Sequence, residues 1–200
     1  MVKLVLKKKS ASAALKLGVA AGVPHLIFIT DEDRVPDPFR VCEHMPAGSI
    51  VICRDYNHAD RTGFARALRQ ITKERQQFLL VAGDEALARS VRADGLHLPS
   101  YKLASPPPLT GFGLVSAACH TRGDLRRAQQ VGVDFALVSP VFPTMSHPGA
   151  PCLGVHRLAR LIKGAHVPVV ALGGINSRNA GYLKQLGLLG VAAISAFVPH

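Results

Sequence analysis

A chain of 200 residues, 48% hydrophobic and 18% charged, is long enough for one domain with a real core and too apolar for a disordered segment. No apolar run reaches the ~18 residues of a membrane span, and four cysteines without a CxxC pair suit neither a zinc centre nor a dense disulfide framework, so reduced thiols in a cytoplasmic protein are expected. The formal net charge of +11 favours an anionic partner; with the cations scattered, no Trp and three Tyr, stacking platforms for single strands are lacking and a small phosphorylated ligand fits the charge as well as nucleic acid does.

In chain order, Lys7, Lys8 and Lys9 precede a small-residue stretch, Ser10 to Val23. A secretory signal has a basic start and an apolar middle. Lys16 interrupts that middle and Leu is scarce, so an amphipathic N-terminal helix is the expected form of residues 1–24. Eight apolar runs follow: His25–Thr30, Ser49–Arg54, Gln77–Gly83, Gly95–Pro99, Gly111–Ala118, Phe135–Phe142, Pro168–Ile175 and Gly190–Phe197. Continuous rather than alternating apolar runs predict strands buried on both faces of a parallel sheet. Between them, Arg61–Arg75, Asp124–Val131 and Val155–Ile162 carry apolar residues at helical period, with Phe64, Ala65, Leu68 and Ile71 on one stripe. Asp84, Thr121 and Ser177 stand at N-cap positions. Leu103–Thr110 (LASPPPLT) is too proline-rich for a full helix.

Strand and helix repeating eight times predicts an α/β fold, a (β/α)8 TIM barrel. The chain reads as a single domain over residues 1–200, with 1–24 as a helical extension. About three residues follow the eighth run, so the eighth outer helix is expected to be short or missing. The N-terminal segment is then expected to cover the exposed side of strand eight or the barrel bottom.

Barrel sites lie at the carboxyl ends of the strands. Gly173 and Gly174 follow VVAL in run seven, and Ile194-Ser195-Ala196 ends run eight. Loops at these two ends often hold a phosphate on backbone N–H groups, and glycine lets the backbone approach an anion. After run six, Ser139 to Gly149 is rich in hydroxyls and turn formers, the composition of a lid over substrate. His120 falls at the carboxyl end of run five. His25 and His97 sit inside apolar runs and read as hydrogen-bonded core residues, while His156 and His166 read as surface residues. No His, Cys and Asp set has metal-ligand spacing.

SPVFPTMS, ALGGI and GVAAISA, in this order and spacing, resemble the sixth, seventh and eighth strand ends of thiamine phosphate synthases and TenI-type thiazole tautomerases. LIFITD at Leu26–Asp31, ADGLHLPS and GLVSAACHT resemble the first, fourth and fifth strands, so the resemblance covers roughly residues 25–197. It implies a thiazole phosphate held by Gly173, Gly174, Ile194 and Ser195. It also implies strand-six hydroxyls at Thr144 and Ser146 and a ligand-facing Arg54; Ser116 is the strand-five residue expected to line the pocket if the two residues inserted before His120 bulge outward. A synthase of this family joins a pyrimidine diphosphate to thiazole phosphate with Mg²⁺ on two aspartates. Asp84 matches one of these, whereas Lys102 stands at the other, and Tyr56 and His147 replace two lysines. TenI-type enzymes use a histidine after strand five to move a proton, and an imidazole titrating near neutrality suits that task. His120 matches it with two extra residues in between. The expected function is a TenI-like thiazole tautomerase, with thiamine phosphate synthase or a non-catalytic thiamine-phosphate-binding barrel as alternatives. No cofactor is demanded, and Mg²⁺ enters only for a synthase. The expected partner is a small phosphorylated heterocycle, with neither nucleic acid nor membrane, and a homodimer is compatible with this.

Overall fold

Each apolar run becomes a parallel strand, and the eighth returns to pair with the first. The structure, a computed structural model, describes residues 25–144, 149 and 151–199. Its strands are β1 (His25–Ile29), β2 (Ile50–Cys53), β3 (Phe78–Ala82), β4 (Gly95–Leu98), β5 (Leu114–Cys119), β6 (Phe135–Val138), β7 (Val169–Leu172) and β8 (Gly190–Ala193). They hydrogen-bond in sequence order into a closed barrel, with His25 opposite Gly190 at the closing seam. The TIM barrel is therefore the observed architecture. The helical extension expected over residues 1–24 lies outside the described residues.

Burial on both faces follows from the two-residue period of a strand. Ile27, Ile29, Ile50, Ile52 and Leu80 belong to the cluster that fills the barrel, and Phe28, Val51, Leu79 and Val81 alternate with them into the layer shared with the outer helices. Burial in that layer pushes the thiols of Cys42, Cys53 and Cys119 up to about 12, so they stay protonated and unreactive at neutral pH. All four cysteines are free.

The outer layer holds α1 (Pro38–His44), α2 (Arg61–Glu74), α3 (Glu85–Ser90), α4 (Arg122–Val131), α5 (Gly154–Ile162) and two 3₁₀ segments, Ser100–Leu103 and Ala180–Leu186. None of the helices among the described residues is long and apolar enough to cross a membrane. α2 buries Phe64, Ala65 and Leu68 as its period predicts. Asp84 and Thr121 cap α3 and α4 through their side chains. Ser177 is a correction: it caps nothing. Asn176 and Asn179 instead turn their side-chain carbonyls back onto the N–H of Arg178 and Asn176, both at 2.9 Å, the local bonding in which asparagine outcompetes a helix start. The chain then enters the 3₁₀ segment Ala180–Leu186 rather than an α-helix. Among the described residues no helix follows β8, as expected. At the barrel bottom, Asp94 and Asp134 accept the backbone N–H of Leu79 and Val115, each at 2.8 Å, and so tie neighbouring strands at the end away from the mouth.

Candidate functional site

A cavity of about 460 Å³ opens at the carboxyl ends of the strands. Its described walls come from every strand end except those of β3 and β4: Arg34 after β1, Arg54 after β2, His120 after β5, Ser139, Pro140, Pro143 and Thr144 after β6, Leu172 to Asn176 at the end of β7, and Ala193 to Ala196 at β8. Seven residues singled out from sequence thus share one space: Arg54, His120, Thr144, Gly173, Gly174, Ile194 and Ser195. Ser146 lies outside the described residues. Ser116 and Asp84 are not in the lining. Arg34 and Asn176 line the cavity without having been anticipated, because a lone arginine or asparagine in a loop carries no period and no motif.

The glycines are needed for reasons visible in the packing. Gly173 and Gly174 take φ of +101° and +63°, the left-handed region that favours glycine. A Cβ on Gly174 would stand 2.2 Å from the Pro143 carbonyl oxygen. The loop after β6 lies this close because the Val141 and Phe142 N–H groups donate to the Leu172 and Gly173 carbonyls at 2.9 and 3.0 Å. Asn179 holds the Gly174 carbonyl at 2.8 Å. Among the described residues, the backbone N–H groups of Gly174, Ser195 and Ala196 meet no protein acceptor. Donors without partners at a wet cavity wall suit an anion.

Positive charge is supplied from β1 and β2. The Arg54 guanidinium donates to Asp31, and Arg34 pairs with the same carboxylate at 3.5 Å. The Arg54 N–H donates to the Thr30 hydroxyl at 3.0 Å, and that hydroxyl donates to Asp55. Arg54 is therefore fixed at its backbone and its tip.

His120 enters the cavity from the start of α4. Its N–H donates to Asp124 at 3.0 Å, and the same carboxylate receives the Thr121 N–H and hydroxyl at 2.9 and 2.8 Å. Burial pushes the Asp124 carboxyl up, but these three hydrogen bonds together outweigh it and hold the group below the usual carboxylate range. The exposed imidazole points Nδ1 at the Ser139 carbonyl oxygen, 2.9 Å away. A carbonyl only accepts, so Nδ1 carries a proton, and in the neutral ring the lone pair is the one at Nε2. Beneath the mouth, His97 and Ser116 face each other across β4 and β5 with Nδ1 and Oγ 2.8 Å apart. Burial, aided by the nearby Arg54 charge, lowers the His97 pKa to about 4. His97 is the hydrogen-bonded core residue expected, and Ser116 is its partner.

The residues around Asp84 do not fit Mg²⁺. Its Oδ1 accepts the Leu87 N–H at 2.9 Å as a helix cap, and its Oδ2 accepts from Arg61 at 3.2 Å. Lys102, where a second carboxylate would stand, donates to the Gly83 carbonyl at 2.7 Å. Among the described residues no three His, Cys, Asp or Glu side chains gather as a metal set, and Mg²⁺ requires carboxylate oxygens in near-octahedral geometry.

The family described as thiamine monophosphate synthase matches residues 26–197. The thiamine-phosphate synthase of Alcanivorax borkumensis is 34% identical over 188 residues, covering 86% of this chain and 83% of that protein. That of Pyrococcus furiosus is 28% identical over 176 residues, covering 86% and 85%. A solved structure of thiamine phosphate pyrophosphorylase from Pyrococcus furiosus superposes with a TM-score of 0.70, at 28% identity over 86% of each chain. An HpcH/HpaI aldolase from Desulfitobacterium hafniense shares the fold alone, with a TM-score of 0.58 and 17% identity over 90% of this chain and 89% of that one.

Proposed function

This chain belongs to the thiamine monophosphate synthase family, and from that premise we propose that its barrel mouth binds a thiazole phosphate and shifts a proton on the bound ring. The observation that carries the reading is one cavity joining the amides of Gly174 and Ser195, which meet no acceptor among the described residues, the Arg54 guanidinium and the His120 imidazole. The phosphate rests on the amides after β7 and β8. Arg54, held by Asp31 and Thr30, faces the anionic ligand. Thr144 and Ser146 supply hydroxyls from the loop after β6. His120 Nε2 takes a proton from one ring position and returns it to another, which aromatises the ring with no net gain or loss of protons. Its Nδ1 bond to the Ser139 carbonyl fixes the tautomer in which Nε2 is the base. Reduced thiols fit a cytoplasmic setting for this chemistry.

The second reading is a synthase that condenses a pyrimidine diphosphate with the thiazole phosphate. The names of the relatives favour it over the tautomerase; the cations beside Asp84 oppose it. One pair of assays on the purified protein separates the two: tautomerisation of the thiazole phosphate, and thiamine phosphate formation with Mg²⁺ and both substrates. We expect the first to proceed and the second to be weak or absent. Thiamine phosphate formation on the order of 1 s⁻¹ or faster overturns the tautomerase reading. Calorimetric titration of thiazole phosphate without binding overturns both.

A further inference from the structure

We infer that Lys102 and Arg61 are fixed cations that take the place of a divalent metal at the β3–β4 side of the mouth, so that this barrel works without one. Three successive acceptors end β3 and begin α3, and each is met by a side-chain cation. Arg61 donates to the Ala82 carbonyl at 2.7 Å, Lys102 to the Gly83 carbonyl at 2.7 Å, and Arg61 again to the Asp84 carboxylate at 3.2 Å. These are hard oxygen donors, the ligand type that Mg²⁺ uses. Two full positive charges now stand against one carboxylate, which leaves the spot repulsive to a divalent cation.

The packing crowds the same place. The Arg61 guanidinium lies over the Tyr56 ring, 5.2 Å from its centroid. A Cβ on Gly83 would stand 3.2 Å from the Tyr56 ring and 3.4 Å from Pro99. Among the described residues, the ends of β3 and β4 contribute nothing to the cavity wall. The two cations also tie three strand ends together, since Arg61 begins α2 and Lys102 lies in the 3₁₀ segment after β4. Cross-linking loops through oxygen is the other service a bound metal performs. The inference goes beyond the proposed reaction and holds whichever ligand occupies the cavity.

Titration of the full chain with Mn²⁺, a paramagnetic stand-in for Mg²⁺, tests it. Electron paramagnetic resonance counts bound and free metal, with and without inorganic pyrophosphate. The wild type is expected to hold no Mn²⁺ in either condition, and its melting temperature should not respond to the metal. Lys102→Asp places a second carboxylate near Asp84 and is expected to bind Mn²⁺ at least about tenfold more tightly than wild type. Stoichiometric Mn²⁺ on the wild type, lost in Asp84→Asn, overturns the inference. A folded Lys102→Asp protein that gains no Mn²⁺ removes Lys102 from it. Should Lys102→Asp fail to fold, the wild-type titration decides alone. Phosphate binding measured in the presence of a chelator reports separately on the loops after β7 and β8, so a failure there is not confused with a failure here.

Discussion

Two imidazoles, one buried and one exposed, carry different predictions. His97 is neutral in the fold because burial lowers its pKa to about 4, whereas an unfolded histidine titrates near ~6.5. Below ~6.5 the unfolded chain therefore binds a proton that the folded chain refuses. The contribution is complete above ~6.5 and is lost as pH falls toward 4, with a slope approaching ~1.4 kcal/mol per pH unit for one proton. Urea unfolding from pH 4 to 8 should show this limb, and His97→Gln should flatten it. At the rim, His120→Gln should lower the proposed tautomerase rate by roughly 10²–10⁴-fold while thiazole phosphate still binds by calorimetry, because the proposed phosphate donors follow β7 and β8. Unchanged turnover removes the proton transfer from this residue. His120 was legible from sequence despite its two extra residues, because a strand repeats every two. A shift by two keeps a side chain on the same face and moves it ~7 Å toward the mouth, consistent with β5 running to Cys119. Arg34 was not legible, since its place depends on Asp31, a loop carboxylate that it shares with Arg54.

At the level of elements, the contact between the loop after β6 and the end of β7 is where packing and ligand binding meet. Gly174→Ala would press a methyl group onto the Pro143 carbonyl from a left-handed backbone. It should destabilise the fold by at least ~1 kcal/mol and weaken thiazole phosphate binding about tenfold or more as the loop moves. Wild-type affinity in this variant, measured by calorimetry, would show that the loop after β7 does not hold the phosphate. Thr121→Ala tests the helix start in the same spirit. Losing the cap of α4 should cost ~1 kcal/mol, read from chemical denaturation, and should lower turnover more than affinity because the Thr121 hydroxyl and the His120 N–H both donate to the Asp124 carboxylate. The strands were legible because burial on both faces leaves an unbroken apolar run. α1 was not: its 7 residues are too few to display a helical period, and Pro38 occupies the first turn, where a missing N–H costs nothing. The failure of Ser177 to cap has a local origin: the side chains of Asn176 and Asn179 bond the neighbouring backbone before a helix can start.

For the whole molecule, a ligand that binds only the folded state adds its binding energy to the stability. At a concentration 100 times Kd the gain is ~2.7 kcal/mol, which for a chain of this size raises the melting temperature by ~5–11 °C. Thiazole phosphate should do so for the wild type and much less for Gly174→Ala. The seam between β1 and β8 gives this a temporal side. Its strands come from opposite ends of the described chain, and the arginines after β1 and β2 share one cavity with the amides after β7 and β8. Contacts so distant in sequence form late, after most of the loop entropy has been lost. A barrel arrested before β8 pairs has helices and a partial core but not the proposed anion pocket. In a refolding time course, the signal of bound ligand should lag behind the helical signal, which makes ligand capture a clock for the last step of ring closure.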